Sequence, residues 1–169
     1  MTPELHISFA LTIGSCNSTQ TIKFTDILDE NGINGCWRAV YMWCCIFIVS
    51  GEISSFHICY CSRCRHSTGS VHASNIFTSP ENIIWITGKE SIQRFKLETA
   101  KSWAKQFCKI CGSGVPYINR AGTHLVIPAG SLNSEIELEP DDKIFCDSRP
   151  KWIESIAVKP EFALYPDKF

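Results

Sequence analysis

The sequence predicts a mainly β domain built around bound metal, and three features of the chain lead to that prediction. Short segments rich in β-branched and aromatic residues recur along the chain between turn formers, a pattern typical of β-rich domains. The 169 residues, 44% apolar and 20% charged, have a globular composition and suffice for one hydrophobic core. The third feature is the content of ten cysteines, several of them in two short clusters.

The predicted elements follow one another in this order. A first strand covers residues 7–13 and a second covers 21–25, before a loop at 26–35 that is rich in turn formers. The apolar segment 36–49 is predicted as strand, although so compact a run leaves a short helix open. A strand at 56–59 leads into the first cysteine cluster. Further strands are predicted at 71–77, 83–86, 92–97, 103–107, 115–119, 124–127, 144–146 and 156–158, with a turn at 131–133.

Charge and targeting signals narrow the class of function. The net charge of −1 provides no electrostatic footprint for nucleic acid or for an anionic membrane surface, so we expect neither partner. The N-terminus lacks the positive region of a secretory signal, and no apolar run reaches the ~18 residues of a membrane span. We therefore expect a cytoplasmic chain, with a nuclear location still open, in which clustered cysteines bind metal instead of forming disulfides.

The first cluster is a Cys-x-Cys-x-x-Cys motif formed by Cys59, Cys61 and Cys64. Cys59 and Cys61 are spaced by two, so an extended backbone directs both side chains to one side, and Cys64 can return from the following turn. Thiolates are good ligands for zinc, and three of them leave one tetrahedral position for water or substrate, as in catalytic zinc sites. The alternative that the three cysteines only pack in the core is much less favoured by their spacing.

The second cluster is Cys108-x-x-Cys111, followed by Gly112, and has the spacing of a zinc knuckle. It supplies only half of a structural site, so two more ligands must come from elsewhere. Because 43 residues separate Cys64 from Cys108, one four-cysteine zinc shared between the two clusters stays open as an alternative. We expect Cys146, which stands apart from both clusters, to be a small buried hydrophobic residue.

These motifs resemble those of the glutathione-dependent formaldehyde-activating enzyme family, which also contains centromere protein V. The resemblance covers residues 49–165 and is carried by the segments Cys59-Tyr-Cys61-Ser-Arg-Cys64-Arg-His-Ser-Thr68-Gly69-Ser70, Phe107-Cys108-Lys-Ile-Cys111-Gly112-Ser113, Ile127-Pro-Ala-Gly130-Ser131-Leu132 and Pro150-Lys151-Trp152. It implies a β-tent fold with two zinc ions. By this resemblance, Cys59, Cys61 and Cys64 bind the catalytic ion, whereas Cys108 and Cys111 bind half of the structural one.

The chain departs from the family pattern in its N-terminal part. The family has an early Gly-x-Cys-x-Cys-Gly motif, and Gly14-Ser15-Cys16 matches only its beginning. Cys16 is thus the third expected ligand of the structural zinc, and the fourth stays open among Cys36, Cys44 and Cys45. We divide the chain into a divergent segment at 1–48, which carries an insertion or a gene-model error, and a zinc-binding domain at 49–165. Because Gly14-Ser15-Cys16 also resembles the family, we expect the domain itself to begin near residue 10, before the divergent part.

The resemblance implies a zinc-dependent carbon–sulfur lyase that adds a small-molecule thiol such as glutathione to a small aldehyde such as formaldehyde. Metal coordination lowers the pKa of a bound thiol, so a thiolate nucleophile exists at neutral pH. Arg63 and the Thr68-Gly69-Ser70 segment are the expected substrate-binding residues. Either Arg63 or Arg65 could pair with a carboxylate of glutathione, and a solvated surface position is the alternative for both arginines. His57, His66 and His72 flank the cluster, most simply as satisfied imidazoles. The alternative functions are a non-catalytic zinc-binding interaction module of the centromere protein V type, and a protein whose zinc is purely structural.

Overall fold

The computed structural model describes residues 10–14, 19–23, 38–42, 45–132 and 138–166. Within them, strands predominate and are joined by one short α-helix and several 3₁₀ turns. The strands are β1 Ala10–Gly14, β2 Thr19–Lys23, β3 Arg38–Met42, β4 Cys45–Val49, β5 Ile53–Cys59, β6 Ala73–Thr78, β7 Ile83–Thr87, β8 Ile92–Lys96, β9 Ala104–Cys108, β10 Gly114–Val115, β11 Tyr117–Ile118, β12 Leu125–Pro128 and β13 Asp142–Ile144; the helix is α1 Ser62–Thr68.

The described strands form several small sheets instead of one large one. The largest has the order β11-β12-β6-β5-β13, in which β13 runs parallel to β5 and the other neighbours are antiparallel. Two three-stranded sheets have the orders β3-β4-β7 and β10-β9-β8, and β1 pairs with β2. The main core is formed by residues of the five-stranded sheet and the two three-stranded sheets, and contains Phe47, Ile76, Leu125 and Ile127, all fully or almost fully buried. Burial of each such side chain stabilises the fold by about 1.5–3 kcal/mol.

A tight turn joins β4 to β5 and fixes the start of the strand that leads to the cysteine cluster. Gly51 has a φ of 86°, and a Cβ atom there would lie 2.5 Å from the Nδ2 atom of Asn82. The same Asn82 accepts a hydrogen bond from the amide of Ser50 at its carbonyl oxygen and donates one from Nδ2 to the hydroxyl of Thr78. The Thr78 hydroxyl in turn donates to the carbonyl of Glu52. The turn therefore needs a residue without a side chain.

Helix α1 directly follows β5 and is defined at both ends by local chemistry. The Cys61 sulfur accepts a hydrogen bond from the amide of Cys64 at 3.4 Å, which is the role of an N-cap side chain. Gly69 ends the helix in the left-handed region, with a φ of 65°, and its amide donates to the carbonyl of Arg65. The helix thus begins on one cysteine of the cluster and carries another in its first turn.

Strand β13 ends at Ile144, and the chain turns sharply at the next residue. Phe145 has a φ of 57° and a ψ of 41°, and it is the one non-glycine residue with positive φ among the described residues. For a bulky L-residue this backbone conformation costs about 1–2 kcal/mol. The sequence prediction of a strand over 144–146 is therefore wrong for its last two positions, because the chain turns sharply there and Cys146 opens a 3₁₀ helix.

The prediction of a mainly β chain is confirmed, and the remaining differences are local. The predicted strand at 115–119 is interrupted at Pro116, which donates no backbone hydrogen bond. The predicted strand at 156–158 is wrong, because these residues belong to the 3₁₀ helix Lys151–Val158 that follows Pro150. The predicted loop at 26–35 lies outside the described residues. In the parts of the chain that the structure describes, no helix is long and apolar enough to cross a membrane.

Candidate active site

Three cysteines meet where β5 passes into α1. Cys59 is the last residue of β5, Cys61 caps the helix and Cys64 lies in its first turn. Their sulfur atoms all lie within 4.8 Å of one another, with Cys59 and Cys64 buried and Cys61 half-buried. The strand end and the helix start therefore bring together the three thiols that the sequence predicted as one group.

Hydrogen bonding between these thiols separates their acidities. The hydrogen bond from the Cys64 thiol lowers the pKa of Cys59 to about 6, against the opposing effect of burial. The same hydrogen bond, together with burial, raises the pKa of Cys64 far above its ordinary value. One thiolate is thus stabilised by a neighbouring thiol, so the first proton leaves the group easily and the last leaves with difficulty unless a cation replaces it.

The group fits a zinc ion. Zinc bonded to sulfur at ~2.3 Å in tetrahedral geometry places its sulfur ligands ~3.8 Å apart, and the three thiols are already clustered within 4.8 Å. The donors are all soft sulfur atoms, which zinc accepts readily. The three cysteines could therefore hold a metal ion with one coordination position left over.

All three cysteines line one cavity of about 480 Å³, which we call the thiol cavity. A second cavity of about 490 Å³ is also lined by Cys64. The two cavities share four lining residues, which are Cys64, Asn75, Trp103 and Tyr117. The sulfur cluster thus borders open space instead of being fully enclosed in the core.

Sequence reasoning missed two polar residues at this junction. Asn75 is buried, and its Nδ2 atom lies 4.0 Å from the sulfur of Cys64. Burial and the nearby charges of Cys64 and Cys59 raise the pKa of the Tyr117 hydroxyl, which therefore stays protonated and able to donate a hydrogen bond. The sequence signal that could have identified Asn75 is an asparagine, a residue depleted in strands, in the middle of strand β6.

The predicted substrate-binding residues do not all line the same cavity. Arg63 is exposed and lines the thiol cavity, as does the neighbouring cation Lys101. Thr68 and Ser70 line the second cavity, whereas Gly69 serves as the helix C-cap and lines neither.

The arginine and histidines that flank the cluster have different surroundings. The Nε atom of Arg65 donates a hydrogen bond to the carbonyl of Tyr60, so this arginine stabilises the backbone between Cys59 and Cys61. His57 pairs through Nδ1 with Asp142 at 2.7 Å, and His66 is exposed. The expectation of a satisfied imidazole fails for His72, because its Nδ1 is the one buried side-chain polar atom without a hydrogen-bond partner among the described residues.

Two further cysteines, Cys45 and Cys108, lie in the main core. Cys45 and Cys108 are fully buried and belong to one apolar cluster, whereas Cys111 is exposed. Burial raises the pKa of Cys108, but hydrogen bonds lower this pKa by a larger amount, so the net shift is downward. These hydrogen bonds come from the backbone amides of Cys111 and Ile110 and from the Cys45 thiol. Of the candidates for the fourth ligand, Cys45 is the one that the described residues include, and it lies in the same buried cluster as Cys108. Cys16, Cys36 and Cys44 lie outside the described residues.

Cys146 does not fit the prediction of a small buried hydrophobic residue. It is exposed, and its thiol donates to the carbonyl of Lys143. The sequence reasoning failed because Cys146 follows the sharp turn at Phe145, which carries the chain out of the sheet.

A family model described as glutathione-dependent formaldehyde-activating enzyme matches residues 45–148. The chain belongs to this family. The comparison with curated proteins gave no match. Among solved structures, the crystal structure of a Rhodobacter sphaeroides protein from a structural-genomics programme aligns with a TM-score of 0.49 at 16% identity, covering 64% of this chain and 99% of its own.

The range matched by the formaldehyde-activating family contains both cysteine groups. It begins at Cys45 itself, continues through the cluster beside the thiol cavity and includes Cys108 and Cys111. Cys16 lies before it. Membership of the family therefore rests on the part of the chain that carries both predicted cysteine motifs.

Proposed function

We propose that this protein is a zinc-dependent carbon–sulfur lyase that adds a small-molecule thiol, such as glutathione, to a small aldehyde, such as formaldehyde. The observation that carries this proposal is the position of three clustered thiols in the wall of an open cavity. A purely structural zinc site is normally closed by a fourth protein ligand, whereas a catalytic site keeps one position open. Membership of the formaldehyde-activating family supports the same reaction class.

Cys59, Cys61 and Cys64 would hold the ion in this proposal. When bound there, zinc supplies a position at which a substrate thiol is held as its thiolate. The reaction itself joins the thiol sulfur to the aldehyde carbon and leaves the thiol proton on the former carbonyl oxygen. No atom changes oxidation state overall, so no redox partner is needed.

The residues of the two cavities take the remaining roles. Arg63 and Lys101 line the thiol cavity and would bind carboxylates of the thiol substrate. Tyr117 lines both cavities and would donate a hydrogen bond to the aldehyde oxygen. The hydroxyls of Thr68 and Ser70, in the second cavity, are available to polar groups of either substrate.

We further propose that Cys16, Cys45, Cys108 and Cys111 bind a second, structural zinc in a β-tent fold. The contact between the Cys45 and Cys108 thiols supports Cys45 as the ligand that the sequence left open. An ion there would join β4 to the turn after β9, two segments distant in the chain. Such a four-sulfur site would stabilise the fold without taking part in the reaction.

The Cys61→Ser substitution tests the catalytic site directly. Serine retains an N-cap oxygen for the amide of Cys64, so we expect the fold to persist. Zinc content should fall by about one ion per chain, and thiol-dependent consumption of formaldehyde should be abolished. The matched control is Cys146→Ser, which changes an exposed cysteine outside both groups. An unchanged zinc content in Cys61→Ser would contradict the assignment of Cys61 as a zinc ligand. A zinc-loaded wild type without turnover would favour the non-catalytic interaction module.

A further inference from the structure

The aromatic ring of Phe145 is placed in an unusual way beside the cysteine cluster. Phe145 follows β13, adopts a left-handed backbone and lines the thiol cavity together with the three cysteines. Its exposure is 63%, so the ring gains little from the protein core. A large apolar side chain is thus held in a strained conformation and left beside open space.

The backbone around Phe145 is fixed by contacts that do not involve its ring. Ile144 pairs with Cys59 in the parallel β13–β5 ladder, and its carbonyl accepts a hydrogen bond from the amide of Tyr60. On the other side, the carbonyl of Phe145 accepts a hydrogen bond from the amide of Ser148. The turn therefore does not require a phenyl group, and glycine would adopt this backbone more easily.

The surroundings of the ring indicate what would cover it. Phe77, Val126 and Ile144 provide further apolar surface in the same cavity, while Arg63 and Lys101 provide positive charge. An occupant with carbon groups near its sulfur and a carboxylate farther away would match both parts of this lining. Strained residues tend to cluster at binding sites, where the surrounding structure maintains them.

We infer that Phe145 is a specificity-determining residue, whose ring packs on the carbon skeleton of a carboxylate-bearing thiol bound at the cysteine cluster. This inference rests on the proposed function. The ring covers the bound thiol and excludes water from its sulfur, and it selects thiols large enough to reach it. Compact thiols without such a skeleton gain little from Phe145.

The Phe145→Gly substitution separates this role from a structural one. Glycine relieves the backbone strain, so the melting temperature should stay the same or rise, whereas KM for glutathione should rise about tenfold with the loss of apolar contact. The KM for 2-mercaptoethanol should change less than twofold, and kcat with either thiol should stay within about threefold. Phe145→Asn, which also tolerates the left-handed region, should behave in the same way. Phe162→Gly is the control, because Phe162 is equally exposed but lines neither cavity.

Two outcomes would overturn the inference. In one, KM for glutathione is unchanged in both variants; in the other, melting temperature and turnover fall together for both thiols, as expected of a structural residue.

Calorimetric titration of the zinc-loaded proteins with glutathione separates this inference from the proposed function. A wild type that binds glutathione without turning over formaldehyde contradicts the proposed reaction, and weaker binding by Phe145→Gly then still supports the role of the ring. A wild type that does not bind glutathione overturns the role of the ring as well.

Discussion

The two cysteine groups of this chain use the same side chain in opposite surroundings. Cys59, Cys61 and Cys64 lie at a strand–helix junction in the wall of an open cavity. Cys45 and Cys108 are fully buried in the main core beside Phe47 and Val115. In the proposed assignment, the surroundings, more than the ligand type, separate a site that can admit a substrate from one that only holds chain segments together.

The largest expected effect is on the core group. Cys108→Ser replaces a fully buried sulfur with a hydroxyl and removes a proposed ligand of the structural zinc, so we expect the free energy of unfolding to fall by more than about 3 kcal/mol. Urea denaturation with parallel zinc analysis measures this loss. Cys61→Ser should retain most of its stability under the same conditions. Equal destabilisation by the two substitutions would remove the distinction between the groups.

Removal of zinc by a chelator should distinguish the two proposed sites by their rates of release. The ion proposed at the open cavity would be accessible, whereas release of the ion proposed in the core would require opening of the structure around the buried Cys45 and Cys108. A chromogenic chelator should therefore remove about half of the zinc quickly and the rest slowly, with activity lost in the fast phase. Cys61→Ser should lack the fast phase, and single-phase release from the wild type would contradict the separation of the two sites.

A smaller effect is expected where the two groups are connected along the chain. Gly51 lies between β4, which begins at Cys45, and β5, which ends at Cys59. Gly51→Ala adds a Cβ atom 2.5 Å from Asn82 at a φ of 86°, and should lower the free energy of unfolding by about 2 kcal/mol.

Gly122→Ala is the matched control for this substitution, because Gly122 also has positive φ but a Cβ atom there has open space around it. It should cost about 1 kcal/mol of backbone strain alone. If thermal denaturation shows equal costs at the two positions, the Asn82 contact does not constrain the turn.

Much of the site could be predicted from the sequence because the chemistry is local. Cys59, Cys61 and Cys64 lie within six residues, so any compact turn brings their sulfurs together. The pairing of Cys45 with Cys108 could not be chosen in this way, since it depends on how β4 packs against distant strands. Spacing left Cys36, Cys44 and Cys45 equivalent; of these, Cys45 is within the described residues, and it shares a buried cluster with Cys108.

Fold prediction failed where local patterns do not carry the deciding interaction. Helix α1 contains no apolar repeat, and it is defined by the sulfur cap at Cys61 and the left-handed Gly69. Residues 156–158 have the composition of a strand, but they form a 3₁₀ helix after Pro150 instead of pairing with a neighbouring strand. Phe145 looks like an ordinary strand residue until the sharp turn after β13 is seen. The predicted division at residues 48 and 49 stays a prediction.

The parallel pairing of β13 with β5 has a consequence for synthesis of the chain. Residues 57 and 142, which are neighbours in the folded sheet, are 85 positions apart. The cysteines at the end of β5 therefore leave the ribosome well before β13, the strand that pairs with β5 beside them. During that interval the nascent polypeptide presents unprotected thiols to oxidants and competing metals, so early ion capture or chaperone cover would favour the yield of intact protein.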